Sequence, residues 1–321
     1  MKSRICGTGS MLPNRVVTND DLSKIMDTSD EWIRSRTGIC SRHLAVEESL
    51  TELAAQASRK ALEEAGVKPE ELDMILAATL SADKLLPCLS CELQRELGAV
   101  NAVAFDINAA CSGFMFALQT ADMYIKSGQC QRILVVGGEI LSKLMDWNDR
   151  STCVLFGDGA GAAVVRADEE YGILSSVQGS DGAKGDALLC EGRRNNNPYV
   201  SNSTDLPYVS MNGQEVYKFA VRTVPKAILE ALQKADLTVE DVDLFVLHQA
   251  NIRIIESVSK RLKVPMEKFP SNLEECGNIS AGSVPILLDY VNQRGMLHKG
   301  DKIVLAGFGA GLTWGASVLT W

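Results

Sequence analysis

The chain has 321 residues, 46% of them hydrophobic and 23% charged, which suits one large or two medium globular domains. Its net charge of −9 excludes the basic surface that general nucleic-acid binding needs, and no apolar run is long enough to span a bilayer. Nine cysteines, an odd number scattered from Cys6 to Cys276, together with the lack of a secretory signal before Gly7, predict a reduced, cytoplasmic protein.

In chain order, the first strand is expected almost at Met1. A helical pattern over Leu50–Ala65 then leads through a loop to a buried strand, Met74–Ala78. Cys88 and Cys91 form a lone CxxC without a second pair or a nearby histidine, so they read as helix-spaced cysteines and no metal site is expected. A strand-like stretch from Val100 to Ile107 meets a helical one over Cys111–Lys126. The segment 132–137 is a second buried strand, and Gly161–Arg166 a final one.

The pattern then recurs. Residues 61–76 resemble 231–246 at an offset of 170, and 132–137 resemble 302–307 at the same offset. The second copy therefore carries a helix (Tyr217–Ala235), a strand (Leu244–Leu247), a second helix (Ser283–Gln293) and a last strand (Gly315–Thr320). Short apolar runs alternating with helical patterns predict an α/β fold with helices covering mixed sheets. Two halves, 1–170 and 171–321, are expected to pack about a pseudo-two-fold with the active site at their seam. Residues 171–216, rich in Gly, Asn, Ser and Pro, read as loops over the surface or the pocket mouth.

Cys111 opens the second helix of the first half, amid small residues. Unpaired N–H groups and the helix dipole favour a thiolate there, which makes the residue a candidate acyl-transfer nucleophile. A small buried hydrophobe is the other reading of the same residue. Of the three histidines, His43 and His298 lie in polar stretches and read as solvated. His248 ends a strand, where open α/β sheets usually place ligands, although a structural, hydrogen-bonded histidine fits as well.

The motifs Gly7-Thr8-Gly9, Asp30-Glu31-Trp32-Ile33, Arg36-Thr37-Gly38-Ile39, Ala109-Ala110-Cys111-Ser112-Gly113-Phe114, Phe156-Gly157-Asp158-Gly159, His248-Gln249-Ala250-Asn251, Gly277-Asn278-Ile279-Ser280 and Gly307-Phe308-Gly309-Ala310-Gly311 span almost the whole length. In them the chain resembles β-ketoacyl-acyl-carrier-protein synthase III, a condensing enzyme of the thiolase-like superfamily. The resemblance implies a duplicated, layered αβαβα fold. It also implies decarboxylative condensation of an acyl-CoA primer with malonyl-acyl-carrier protein, through an acyl-cysteine intermediate. Cys111, His248 and Asn278 are then the catalytic set, with the backbone N–H groups of Cys111 and Ala310 as oxyanion hole. Trp32 and Arg150 would hold the CoA adenine between them, Arg36 the phosphates, and Asn251 the pantetheine end.

Lys218, Arg253, Lys260 and Arg261 form a candidate basic patch for an acidic carrier protein, with a solvated helix face as the alternative. Leu86, Leu141, Phe156 and Phe308 would line the acyl pocket. Leu86 stands where many relatives have Phe and would reach across a homodimer interface, leaving room for a primer longer or more branched than acetyl. Acyl-CoA is a substrate, and no cofactor or metal is implied. A condensing enzyme of a secondary-metabolite or polyketide pathway, and a non-catalytic acyl-CoA-binding paralogue, share enough of this signature to remain as alternatives. A degradative thiolase would need a second catalytic cysteine near the C-terminus, and none follows Cys276.

Overall fold

The computed structural model describes residues 1–200 and 208–321. Its first half contains strands β1 (Lys2–Met11), β2 (Arg15–Thr18), β3 (Ser41–Leu44), β4 (Met74–Ala78), β5 (Val103–Ile107), β6 (Arg132–Ile140) and β7 (Asp158–Asp168). Interleaved with them are helices α1 (Asn19–Ser23), α2 (Asp30–Thr37), α3 (Leu50–Ala65), α4 (Leu89–Leu97) and α5 (Gly113–Lys126). The second half contains β8 (Gly172–Ser180), β9 (Leu188–Leu189), β10 (Ser210–Met211), β11 (Leu244–Leu247), β12 (Lys302–Gly309) and β13 (Thr313–Thr320), with α6 (Gly213–Lys234), α7 (Ile252–Leu262), α8 (Leu273–Cys276) and α9 (Ser283–Gln293).

Two mixed sheets carry the fold, ordered β1-β7-β6-β4-β5 and β8-β13-β12-β11. Alternation along their strands sorts side chains into layers. In β4, Met74, Leu76 and Ala78 join a core shared with α5, α9 and the second sheet, while Ile75 and Ala77 face α3 and α4. In β12, Ile303 and Leu305 enter that same shared core, and Val304 and Ala306 face α6 and α7. The result is five layers, αβαβα, with α5 and α9 in the centre. Strands buried on both faces explain why the sequence shows unbroken apolar runs.

Glycines set the close approaches. A Cβ at Gly7 would fall 2.2 Å from the Ala61 carbonyl oxygen, and one at Gly137 would fall 2.2 Å from that of Ala281. Only a residue without a side chain lets α3 lie on β1, and the turn before α9 on β6, at that distance.

The expectations need three corrections. The region 171–216 is not simply loop: Gly172–Ser180 is a full strand, with Ile173 and Val177 buried on opposite faces. Its Gly and Ser content hid the alternation. The part of that region at 201–207 lies outside the described residues. The stretch from Val100 becomes a strand only at Val103, because Val100 and Asn101 form the turn after α4. At the positions that match β5 by the repeat offset, the second half has the short helix α8. His43 is half-buried, its Nδ1 2.6 Å from the Pro13 carbonyl, because β3 pairs with β2 and turns Arg42 wholly inward. His298 is exposed, as expected. Cys88 and Cys91 sit at the start of α4 with sulfurs 3.5 Å apart, and they and Cys6, Cys40, Cys111, Cys130, Cys153 and Cys276 form no disulfide.

Among the described residues, no helix is long and apolar enough to cross a membrane, and no group of three or more His, Cys, Asp or Glu side chains could hold a metal ion.

Candidate active site

The turns that open the two central helices are copies of one another. Each contains a non-glycine residue with positive φ, Ala110 at 46° and Ser280 at 47°. In each, an asparagine accepts from the backbone N–H two residues on: Asn108 Oδ1 from Ala110 at 3.3 Å, and Asn278 Oδ1 from Ser280 at 2.8 Å. Left-handed backbone at alanine and serine is uncommon and clusters at functional sites. The first copy of the turn presents the Cys111 sulfur. In the second copy the Asn278 oxygen is occupied by the Ser280 N–H, which turns the carboxamide NH2 the other way.

The second-half turn is anchored to the first half. Asn278 donates its backbone N–H to Leu155 at 2.9 Å and accepts from Gly157 at 3.0 Å. His248 follows β11 directly, its N–H bonded to Ala306 at 2.8 Å, and its ring lies edge-on to Phe308 with centroids 5.1 Å apart. Cys111, His248 and Asn278 all open onto one cavity of about 490 Å³. The seam between halves brings together the three side chains that the sequence set apart.

Burial dominates the electrostatics here. It holds the His248 imidazole down to about 3, so the ring is neutral at physiological pH. Its Nδ1 is buried without a hydrogen-bond partner. Burial also pushes the Cys111 thiol up to about 11; Ser280 opposes that shift and the Glu139 carboxylate adds to it. The helix start that was expected to favour the thiolate thus works against desolvation, and the resting group is a thiol.

The strand β12 ends over the nucleophile. A Cβ on Gly309 would fall 2.7 Å from the Cys111 Cβ and 2.9 Å from its nitrogen. Thr313 fastens this loop down, its Oγ1 donating to Ala310 O at 2.9 Å and lying 2.6 Å from Ser112 Oγ. Ala310 and Cys111 both border a second, apolar cavity of about 60 Å³.

The acyl-pocket expectations divide. Leu141 and Phe156 line the small cavity, whereas Phe308 stands in the large one against His248. Leu86 lines neither and is 87% exposed, because the loop before α4 points it away from its own chain. Within a single chain, then, Leu86 takes no part in either cavity, and the expectation placed it across a homodimer interface. Leu80, Met145, Leu188 and Val209 also line the small cavity, and sequence reasoning missed them. They come from separate, non-periodic segments that offered no shared signal.

At the mouth of the large cavity, the Arg36 and Arg150 guanidiniums lie 4.6 and 5.0 Å from the Trp32 ring centroid. Arg150 also pairs with Asp27 at 3.2 Å. A base stacked between Trp32 and Arg150 needs about 7 Å, so Arg150 must swing outward to admit one. Asn251 is the N-cap of α7, its Oδ1 accepting from Arg253 N at 2.9 Å, and its Nδ2 donates to Arg36 O at 3.0 Å. Its side chain thus ties α7 to α2 while lining the channel. Arg253 is at the mouth and donates to Ser35 O at 2.5 Å. Lys260 and Arg261 lie in the last turn of α7, about 10 Å farther along, and Lys218 is paired with Glu215 at 2.8 Å on α6. The basic residues form a discontinuous rim, with only Arg253 reaching the channel.

Comparison with known proteins fits this geometry. Residues 105–182 match the model of 3-oxoacyl-(acyl-carrier-protein) synthase III, and residues 232–321 match the model of its C-terminal part. A β-ketoacyl-(acyl-carrier-protein) synthase III of Clostridium acetobutylicum is 49% identical over 319 residues, 99% of this chain and 98% of that protein. The chain belongs to the 3-oxoacyl-(acyl-carrier-protein) synthase III family. It is an acyltransferase of the condensing class with the thiolase-like fold. The structure of the 3-oxoacyl-(acyl-carrier-protein) synthase III of Aquifex aeolicus superimposes with a TM-score of 0.93 at 45% identity, covering 99% of this chain and 100% of that one. A priming β-ketosynthase of a polyketide biosynthetic pathway superimposes with a TM-score of 0.94 at 40% identity, covering 99% and 96%.

Proposed function

We propose that this protein condenses an acyl-CoA primer with malonyl-acyl-carrier protein to give 3-oxoacyl-acyl-carrier protein, the first condensation of type II fatty-acid synthesis. The observation that supports this reading is one cavity that joins a buried cysteine, a neutral imidazole and a carboxamide to an arginine-rich mouth. In the first half-reaction, Cys111 attacks the thioester and CoA leaves. The tetrahedral oxyanion meets the N–H groups of Cys111 and Ala310. Malonyl-carrier protein then enters by the same channel and loses carbon dioxide. His248 and the Asn278 NH2 donate to the enolate oxygen, and the carbanion attacks the acyl group on sulfur. A neutral histidine suits this role, because the step needs a hydrogen-bond donor and not a strong acid.

Trp32, Arg36 and Arg150 bind the CoA nucleotide in this reading, and Asn251 sits beside the pantetheine. The apolar space of about 60 Å³ that Cys111 and Ala310 border receives the acyl group of the primer in this reading. The carrier protein meets Arg253, with Lys218, Lys260 and Arg261 farther out. Leu85, Leu86, Val100 and Val103 are exposed at or near the open edge of β5, and we assign that edge to a homodimer in which Leu86 reaches the second copy. Acyl-CoA serves as substrate and the scheme needs no cofactor. Eight cysteines outside any disulfide, Cys111 among them, go with a reducing, cytoplasmic setting.

The likeness to a polyketide priming enzyme favours, as a second reading, a specialised pathway that uses the same chemistry. A panel of acyl-CoA primers with malonyl-carrier protein tests both. Formation of 3-oxoacyl product with acetyl-CoA preferred supports the first reading, preference for a longer or branched primer supports the second, and no product with any primer overturns both.

A further inference from the structure

Glu139 is a carboxylate at the heart of the molecule that the scheme above leaves idle. It interrupts the apolar strand β6, is wholly buried, and its charge acts on the Cys111 thiol. Its Oε2 is saturated, accepting from Thr79 Oγ1 at 3.1 Å, from Leu80 N at 3.1 Å and from Ser81 Oγ. Its Oε1 has no partner, and neither does the Ser280 hydroxyl. Both oxygens are buried, and leaving such groups unpaired is costly, so they invite a functional explanation.

The backbone brings these groups together. Glu139 pairs with Gly159 across the sheet, and a Cβ on Gly282 would fall 3.3 Å from the Gly159 carbonyl oxygen. The turn 280–282 is therefore pressed against the strands that flank Glu139. Ser280 borders the small cavity together with Cys111. Its hydroxyl is near enough to favour the charged form of both the Cys111 sulfur and the Glu139 carboxyl, although the resting geometry forms no hydrogen bond to either. Burial lifts the Glu139 carboxyl to about 7, which divides it between acid and carboxylate at neutral pH.

We propose that Glu139 takes up the Cys111 proton during acylation, with the Ser280 hydroxyl passing it between them. As the sulfur–carbonyl bond forms, the S–H proton moves to Ser280 Oγ, and the Ser280 proton moves to Glu139 Oε1. The CoA–carbonyl bond breaks, and CoA departs with its electron pair and is protonated by solvent. Glu139 is then neutral for as long as the acyl group stays on sulfur, so no buried negative charge opposes the anionic malonyl group. When condensation expels Cys111 as thiolate, the stored proton returns along the same path. The inference deepens the acyl-transfer reading and rests on it for its purpose. It gives a thiol raised by burial a route to its thiolate that does not use the neutral His248.

The ionisable groups that interact with Glu139 are Cys111 and Lys143, and Lys143 in turn faces Asp158 and Asp83. Lys143 bonds to Ala82 O at 3.0 Å, Asp158 to Ala45 N at 2.8 Å and to Ser142, and Asp83 to the start of α3 at 2.9 Å. Each is held by other partners. The test is the rate of Cys111 alkylation by iodoacetamide against pH, alongside the single-turnover release of CoA from acetyl-CoA. For the wild type, both rates rise through about pH 7. Glu139→Gln slows both by about 100-fold at pH 8 and removes that rise. A purely electrostatic or structural Glu139 gives the opposite sign for alkylation, because deleting its charge makes the thiol more acidic and the reaction faster.

Ser280→Ala leaves Glu139 in place and must also slow both reactions, which decides the matter if the glutamine variant does not fold. Wild-type rates and profile in Ser280→Ala, or faster alkylation in Glu139→Gln, overturn the relay. Failure of wild-type protein to accept acetyl from acetyl-CoA, with the alkylation profile intact, would instead remove the proposed function.

Discussion

Replacing His248 by alanine separates the two half-reactions. The imidazole is buried at the end of β11, is held near pKa 3 by desolvation, and faces the same cavity as the Asn278 NH2. It is neutral above about pH 4 and cannot gain by acting as a base for a thiol near 11. Its contribution is one preorganised donor to a developing enolate, and removal of such a donor costs about 100- to 1000-fold, or roughly 3–4 kcal/mol. His248→Ala should therefore slow malonyl decarboxylation by about that factor while acylation by acetyl-CoA changes by less than about 3-fold. The assay is paired: release of CoA in a single turnover, and release of labelled carbon dioxide from malonyl-carrier protein on pre-acylated enzyme. Equal losses in both would refute the donor role and make His248 the base for Cys111.

Other outcomes follow from single contacts. Gly309→Ala drives a methyl group into Cys111, with the nearest atom at 2.7 Å, and should abolish acylation at little cost to CoA affinity, measured by calorimetry. Trp32→Ala removes the ring that both arginines face and should weaken CoA binding by about 10- to 30-fold through the lost stacking and cation–π contacts, with the decarboxylation rate of pre-acylated enzyme unchanged. Lys260→Glu should raise the Michaelis constant for malonyl-carrier protein and leave that for acyl-CoA alone, whereas Arg253→Glu raises both because Arg253 lines the channel.

Stability should also report Glu139. Its pKa is raised on folding from 4.5 to about 7, so its contribution is fully present below 4.5 and is lost as pH rises through 7. That loss is on the order of 3 kcal/mol. His248, lowered on folding, runs the other way, gaining as pH rises from about 3 to 6.5. Denaturant unfolding of Glu139→Gln against wild type at pH 5 and pH 8 isolates the first term, and an equal difference at the two pH values would contradict it.

The duplication was legible because strands buried on both faces write continuous apolar runs, and two of these recur at one offset. Cys111, His248 and Asn278 were legible as motifs at element ends, although only the seam between sheets brings them to one cavity. The strand β8 was hidden because Gly172, Ser175, Ser176 and Gly179 dilute its alternation. What Leu86 faces was not legible, because sequence says nothing of where the loop before α4 points. Glu139 did leave a signal, an acidic residue inside the run Val135–Ile140. Its partners Thr79 and Ser81, and the unpaired Ser280 hydroxyl, lie far off in the chain, so only the fold reveals what it faces.

The most direct test of the central claim is peptide mass spectrometry after incubation with acetyl-CoA and rapid acid quenching. The account predicts one acetyl group on Cys111, absent from Cys111→Ala and discharged by malonyl-carrier protein with appearance of the 3-oxoacyl product. An unmodified Cys111 in protein that binds acetyl-CoA, or an acetyl group on another cysteine that discharges to product, would contradict it.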